Sequence, residues 1–480
     1  MTKLNQPLAK RVFRAGLWTA TGFLFARIIG VVRLAILARL LFPDDFGLFA
    51  LVTVFIGGIV ALSDAGIASA VIQKREPDAI YLSTAWLLEC FRGVLLAAIC
   101  WITAPWVADF FARPELTGLL HIAAFVPMIQ GMTSLGVPLL NRDIAFGRIL
   151  IMTLAHEVFQ TLVAIGLAWW LDWKATALVF GLLAGHLAAV AASYWIHSYR
   201  PQLSFSLDAA RELWAYGGHL LGAGILIYAM TNLDDAVIGR ILGTEALGHY
   251  TVAFALAGYL TSRIVSLSNK VMFPAYAGIQ TDVDRMLSVI QLHARLTTII
   301  LTPLVAGAAL LPEAVIQLAV GSQWLSIAPV FVVLLAMGWV RGCATVFGPV
   351  LLARGRTRAV HKMKWIEFIV FVTTIVPAVH VLGILGAAWV LVMVYVVSLV
   401  LHLWLVRKEL EASFPALVSG LFAGALPGLL AGFVAYGFVL TFGGNMAHGG
   451  WMIGVVFVVA WGGLMWIRER EFITDLWARV

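Results

Sequence analysis

The sequence predicts an all-α integral membrane protein of about fourteen transmembrane helices: two parallel six-helix bundles, then two further helices. Three observations carry this. Apolar stretches of about 20 residues, the length that crosses a hydrocarbon core as a helix, recur along the whole chain. Only 12% of the 480 residues are charged and 62% are hydrophobic, whereas a water-facing globule needs about a quarter charged. Finally, LARLLFPDDFGLFA at 37–50 returns 201 positions later as IGRILGTEALGHYT at 238–251. Without a gap, Arg39 falls on Arg240, Asp44 on Glu245 and Gly47 on Gly248.

The apolar segments lie at about 15–38, 46–70, 83–107, 117–140, 149–171, 175–196, 213–237, 246–268, 286–311, 325–352, 363–381, 384–406, 415–441 and 447–467. Six segments separate the two copies of the repeat. Six is even, so both copies run the same way and the repeat is parallel, with a pseudo-twofold axis along the membrane normal. PLLNRDIAFGRI at 138–149 lines up with PVLLARGRTRAV from 349, each after the fourth segment of its half. The connection at 197–212 is the natural linker. The expected domains are 1–205 and 206–406, the two six-helix bundles, and 407–480, an appended pair with a tail.

The mean hydropathy of +0.96 and net charge of +7 must be reconciled. Twenty-two of the 32 Lys and Arg fall in segments on the side of the N-terminus, and four (Arg39, Arg113, Lys174, Arg240) on the other. This positive-inside bias predicts that both termini are cytoplasmic. The basic charge therefore orients the chain in a membrane, and no nucleic-acid partner is expected. The basic N-terminus lacks a small-residue cleavage site and reads as the first span, not a removable signal.

An ionisable side chain inside a span costs about 2.5–3.5 kcal/mol on insertion scales, so each needs a partner, a cavity or a route to the interface. Arg27 is central in the first span and shares a face with Thr19, Phe23 and Gly30. It either lines a wet cavity or packs against a carboxylate, and its depth favours the cavity. The repeat maps it onto Tyr228, which begins a polar stripe with Asn232 and Asp235. Glu89 and Arg92, three apart, can pair within their helix; a substrate role is the alternative. Arg263 lies on a stripe with Ser266 and Lys270, and Arg341 on one with Thr345; Lys270 can snorkel, whereas Arg263 and Arg341 lie deeper. Arg295 fits either snorkelling or a cavity. The substrate-binding candidates are Arg27, Arg92, Arg263, Arg341, Tyr228 and Asn232. Candidates for cation coupling are Asp64, Glu89 and Glu157, with a helix-end carboxylate as the competing reading of Asp64.

Other chemistry is excluded or weak. Cys90, Cys100 and Cys343 fall inside spans with no CxxC pair, so no disulfide framework is expected. No G-x-x-x-x-G-K-[ST] occurs, so ATP is not hydrolysed here, and HEVFQ lacks the second histidine of a zinc protease helix. His156–Glu157 is weak evidence for a proton relay, and Asp234–Asp235 beside Arg240 reads as a solvated helix end. No metal, cofactor or catalytic residue is expected. The outer loops are too short to hold the folded acceptor site of a membrane polymerase or ligase.

LARLLFPDDFGLFALV at 37–52, SDAGIASAVIQ at 63–73, LLNRDIAFGRI at 139–149 and the 6+6+2 plan resemble the bacterial oligosaccharide flippase (polysaccharide transporter) family. Its superfamily also holds the multidrug and toxin extrusion antiporters and the lipid II flippase. The resemblance covers the whole chain, is specific in its first 150 residues, and is closest to the exopolysaccharide or capsule branch. It implies a V-shaped pair of bundles in the bacterial cytoplasmic (inner) membrane. These would flip an undecaprenyl-pyrophosphate-linked oligosaccharide by alternating access, among membrane lipids and with a polysaccharide polymerase as a candidate partner. The family has no catalytic signature, so the chain is expected not to be an enzyme. The family's electropositive cavity matches Arg27, Arg92, Arg263 and Arg341 in kind, and a pyrophosphate needs such partners. A cation-coupled multidrug antiporter is the alternative, with a lipid II flippase or a membrane polymerase behind it.

Overall fold

A computed structural model describes residues 8–64, 66–74, 76–143, 145–217, 221–442 and 452–467; within these, 8–21, 23, 216–217, 221–224, 263–271 and 439–442 are described by backbone alone. The chain forms two compact units, 1–251 and 252–480. In the first unit the helices are α1 (Leu8–Leu40), α2 (Pro43–Ser63), α3 (Ile67–Gln73), α4 (Ala79–Phe111), α5 (Glu115–Ala123), α6 (Phe125–Gly131), α7 (Gly136–Arg142), α8 (Phe146–Trp170), α9 (Lys174–Ile196), α10 (Leu207–Gly217), α11 (Leu221–Ile241) and the start of α12 (Thr244–Gly278). The second unit holds the rest of α12, then α13 (Val283–Leu310), α14 (Pro312–Ala319), a 3-10 turn (Ser322–Ile327), α15 (Ala328–Thr345), α16 (Gly348–Ala353), α17 (Thr357–Leu410), α18 (Phe414–Phe442) and α19 (Met452–Ile467). Among the described residues there is no strand. Eight helices there are long and apolar enough to cross a membrane, or nine if one bent pair counts as a single span. The protein is an all-α, multi-pass membrane bundle. Large apolar side chains such as Trp106, Trp170 and Phe433 stand exposed on it, where a bilayer would cover them.

Local sequence explains the boundaries. Pro43 opens α2 with its fixed φ and no N–H to waste, and Asp44 and Asp45 sit in the positive first turn. The Asp45 carboxylate accepts from the Phe42 N–H at 3.0 Å. Asp64 caps the other end in an extended conformation, and its carboxylate accepts from Gly66 N–H at 3.0 Å. The segment expected to run to residue 70 is thus cut at Ser63, and α3 comes after it as a separate short helix. Asp78 caps α4 by accepting from Tyr81 N–H at 2.6 Å. The fourth expected span is broken: Glu115–Gly131 and Gly136–Arg142 meet at 56°. α17 is two helices joined at Gly383, whose φ of 61° and ψ of −143° suit a residue without Cβ. Its legs are the eleventh and twelfth expected spans.

The expected linker at 197–212 is only partly irregular, because α10 docks on the first unit. Leu213 is fully buried against Ile67, Val71, Tyr81, Leu82 and Leu139, and Lys74 Nζ reaches Glu212 at 2.8 Å. Ahead of it, the Nδ1 of His197 accepts from the Tyr199 N–H at 2.9 Å. Burial first, then the Arg148 charge, pull the His197 imidazole below its ordinary value. The unfolded chain therefore binds the extra proton first, and this histidine's contribution is present above about pH 6.5 and lost as the pH falls. Acidification from pH 7.5 to 5.5 should lower the protection factor of the Tyr199 amide (the unstructured exchange rate at the same pH over its own), and His197→Asn should flatten that response.

In the second unit α18 lies against α13 along Gly420, Gly424 and Gly428. A methyl on Gly424 would meet the Thr298 hydroxyl and the Arg295 carbonyl, and one on Gly420 the Gln291 carbonyl. Small residues every fourth position let two backbones approach where lipid supplies no hydrophobic drive. Gly437, further along the same helix, has open space around its Cβ position. Gly424→Val should cost about 1–3 kcal/mol of stability through overpacking, and Gly437→Ala should be neutral or stabilising. Thermal unfolding in detergent distinguishes the two.

Candidate functional site

The expected polar residues of the first unit gather on α2 and its neighbours. Arg92 on α4 bonds Glu89 through Nε at 3.1 Å and Nη2 at 2.6 Å, and gives Nη1 to the Ser63 hydroxyl at 3.1 Å. Glu89 and Arg92 therefore pair within the helix, as their spacing allows, and the pair also ties α4 to the end of α2. Tyr228 lies across the middle of α2: its hydroxyl donates to the Val54 carbonyl at 2.5 Å, and its ring fills the space left by Gly57 and Gly58. Asn232, one turn on, donates to the Tyr228 carbonyl at 3.0 Å and to Thr231 at 2.8 Å. Asp64 serves the turn after α2. Tyr228 thus ties α11 to the middle of α2, and Arg92 ties α4 to its end, nine residues further along. Arg27 lies half-buried on α1.

α1 meets α8 through an ion pair that sequence reasoning missed. Arg33 donates to Glu157 at 2.8 Å and to Thr161 at 3.4 Å. Its signal was legible in principle: Glu157 and Thr161 lie one turn apart on one face. Beside it, the rings of His156 and His186 are 4.7 Å apart, and Gln130 lies 3.2 Å from His186. Buried Asp234 accepts from the Tyr250 hydroxyl at 2.7 Å, so it is not a solvated helix end. In the second unit the Arg341 guanidinium lies over the Tyr395 ring at 5.8 Å. The side chain of Arg263 lies outside the described ones, as do those of Thr19, Phe23, Ser266 and Lys270. Among the described residues no three His, Cys, Asp or Glu are grouped to hold a metal ion.

The repeated segment is itself a contact. A methyl on Gly47 would strike the carbonyl of Thr244, and a methyl on Gly248 would strike the carbonyl of Pro43. The repeat offset of 201 maps Pro43 onto Thr244 and Gly47 onto Gly248, so the contact is reciprocal: each copy presents its first helical residue to the other's glycine. Asp44 fastens this seam, accepting from the Thr244 hydroxyl and from Arg113 Nη2. Asp45 next to it accepts from the Ala175 N–H at the start of α9 at 3.1 Å. Burial alone would lower the Arg113 guanidinium, but its bond to Asp44 and the charges of Asp44 and Glu115 together outweigh that and raise it above its ordinary value. The first unit therefore extends through α11 to residue 251.

Comparison with known proteins fits this geometry. The sequence profile described as "Polysaccharide biosynthesis protein" matches residues 36–329, more than half of the chain. The chain belongs to that family. With it comes membership of the superfamily of multidrug, oligosaccharidyl-lipid and polysaccharide exporters. Among the family's similar proteins is the "Lipopolysaccharide biosynthesis protein WzxC" of Escherichia coli K12, 26% identical over 410 residues, 85% of this chain and 83% of that protein. Another is the "Succinoglycan biosynthesis transport protein ExoT" of Rhizobium meliloti, 26% identical over 402 residues, 83% of this chain and 80% of that one. The fold matches a structure of the "Lipid II flippase MurJ, inward closed conformation" with a TM-score of 0.76 over 95% of this chain and 99% of that one, at 12% identity.

Removing one member of an ion pair inside apolar helices leaves the other charge uncompensated. For the Arg33–Glu157 pair of this family member, Glu157→Leu alone should cost about 3 kcal/mol or more, whereas Arg33→Met with Glu157→Leu should recover most of it. Thermal unfolding of the single and double variants in lipid checks this.

Proposed function

We propose that this chain flips a polyprenyl-pyrophosphate-linked oligosaccharide repeat unit across the bacterial cytoplasmic membrane by alternating access, for exopolysaccharide, O-antigen or capsule synthesis. It is a transporter with no catalytic centre of its own, and both of its termini face the cytoplasm. The observation that carries the mechanism is the reciprocal seam between the repeat copies. A seam made of backbone at two glycines, one carboxylate and one hydroxyl is small enough to open and close while the helices stay intact. Alternating access needs two states a few kcal/mol apart, and a joint of this size is compatible with that.

The cargo class is supported by the family and by the roles named for WzxC and ExoT. A pyrophosphate carries about two negative charges and needs cationic partners in a low-dielectric path. Arg27, Arg92, Arg263 and Arg341 are the proposed partners, with Tyr228 and Asn232 beside the sugar. Arg92 is the best placed to exchange ligands, since its Nη1 is held only by a serine hydroxyl. The repeat halves, 1–205 and 206–406, would rock about the seam with 407–480 appended, while the lipid tail stays in the bilayer.

The seam gives the test. Asp44→Cys with Thr244→Cys places two thiols where carboxylate and hydroxyl now touch. In vesicles loaded with lipid-linked oligosaccharide, oxidation should stop translocation by the double variant and reduction should restore it. Oxidation of either single variant should change nothing. Translocation that continues with the disulfide formed would refute the seam as the moving joint.

A further inference from the structure

Three carboxylates were candidates to bind a coupling cation, and each is already committed. Asp64 holds the Gly66 amide, Glu89 holds Arg92 and Glu157 holds Arg33. An arginine stays charged at any physiological pH, so an acid beside one has little reason to take up a proton. Glu367, on the first leg of α17 in the second unit, is different. It is 1% exposed, its Oε2 meets Lys364 Nζ at 2.6 Å, and its Oε1 is buried with no hydrogen-bond partner. Lys364 is 40% exposed, so its flexible stem can carry the ammonium to the helix end and out of the pair.

The break at Gly383 brings a second titratable group beside it. Glu367 lies 16 residues before the break and His402 lies 19 after, about 24 and 28 Å along antiparallel legs at the helical rise. The two are therefore at nearly the same depth. His402 is buried, and its Nδ1 lies 2.8 Å from the Ser398 carbonyl. That bond places the neutral ring's hydrogen on Nδ1 and leaves Nε2 as a lone pair, toward Gly348. The charges of Lys364 and Glu367 both reach this ring. On the elements packed against α17, the titratable or charged groups are Arg341, over Tyr395, and Cys343 on α15, and the buried Tyr276–His293 pair of α12 and α13, helices that share a core cluster with Leu403 and Val406. Arg354, after α16, is held by Glu409, and α18 offers only Tyr436.

We propose that Glu367 and His402 form a buried proton-exchange site whose gate is the Lys364 bridge. Its use as the coupling site rests on the transport reading above. A hydronium ion gives its proton to a carboxylate oxygen of Glu367: one O–H bond of the hydronium breaks, one forms on Glu367, water leaves, and the Lys364 ammonium is released to the surface. Loss of that proton restores the carboxylate and draws Lys364 back. The Nε2 lone pair of His402 is the second station for the same proton. The ammonium 2.6 Å away opposes a metal cation here, whereas a proton removes the charge that holds the lysine.

Two measurements on the full chain in lipid test this. Infrared difference spectra across a pH titration should contain a carboxyl signal that Glu367→Gln abolishes and His402→Gln displaces along the pH axis. An unchanged carboxyl signal in Glu367→Gln overturns the proposal. In vesicles, a proton gradient should speed wild-type translocation several-fold, and the ratio of rates with and without it should fall to unity in Glu367→Gln. A retained ratio also overturns the proposal. If Glu367→Gln does not fold, Glu367→Asp and His402→Gln carry both readouts. If no vesicle moves lipid-linked oligosaccharide while the infrared signal still maps to Glu367, the transport reading falls and the proton site stands.

Discussion

The close approach of two helix starts, α2 and α12, determines how the helices of the first unit are joined. It exists because Gly47 and Gly248 have no Cβ, so that each accommodates the other copy's first helical carbonyl. Such approaches gain from Cα–H to carbonyl contacts and dispersion, terms that lipid does not compete with. Once the starts are fixed, α11 is held along α2, and Tyr228 reaches the Val54 carbonyl over Gly57 and Gly58. Asp44 and Asp45 divide the rest of the work. Asp44 ties the seam to Arg113 after α4, and Asp45 ties it to α9. A larger side chain at either glycine would break a joint on which five helices depend.

A second constraint is the cost of charge inside apolar helices, and the chain meets it with pairs of different kinds. Arg33–Glu157 and Arg92–Glu89 match a planar, permanently charged donor to a carboxylate, and each also engages a hydroxyl. Such pairs fix geometry and tolerate solvent exclusion. Lys364–Glu367 matches a mobile ammonium to a carboxylate with one empty oxygen. The contrast separates carboxylates held by permanently charged arginines from one held by a flexible lysine of its own helix. It also shows why a tally of basic residues in the expected spans overstates the free positive charge: Arg33 and Arg92 carry their own counter-ions.

The helical class and most helix positions were legible, because hydrophobic length is a local property. Two boundaries were not. Asp64 ended α2 early through a side-chain bond to the backbone, and α5 to α7 bent where the apolar run continued unbroken. The repeat was legible as an alignment, but its physical meaning was not. Nothing in LARLLFPDDFGLFA says that its second copy lies against it, although a glycine matched at the same offset was the available hint. Among site residues, the Glu89–Arg92 pairing could be read from spacing. Tyr228 was rightly singled out, but its contact with Val54 is 174 positions distant. Arg33 and Glu157, 124 apart, needed the packing of α1 on α8.

The seam is reciprocal in shape and one-sided in chemistry. Thr244 has a hydroxyl to give to Asp44; its counterpart, Pro43, has none to give to Glu245, the counterpart of Asp44. Only one half of the pseudo-symmetric contact is therefore clasped by a charged hydrogen bond, and the other half is backbone against glycine. Two such clasps would deepen the closed state by a further charge-assisted bond, about 1.5–3 kcal/mol, enough to slow a cycle whose two states must differ by only a few kcal/mol. Proline at 43 removes that second clasp and at the same time starts α2 without an unsatisfied N–H. A duplicated joint held fully by symmetry would be a lock. In the proposed cycle, holding it by one side leaves it a hinge.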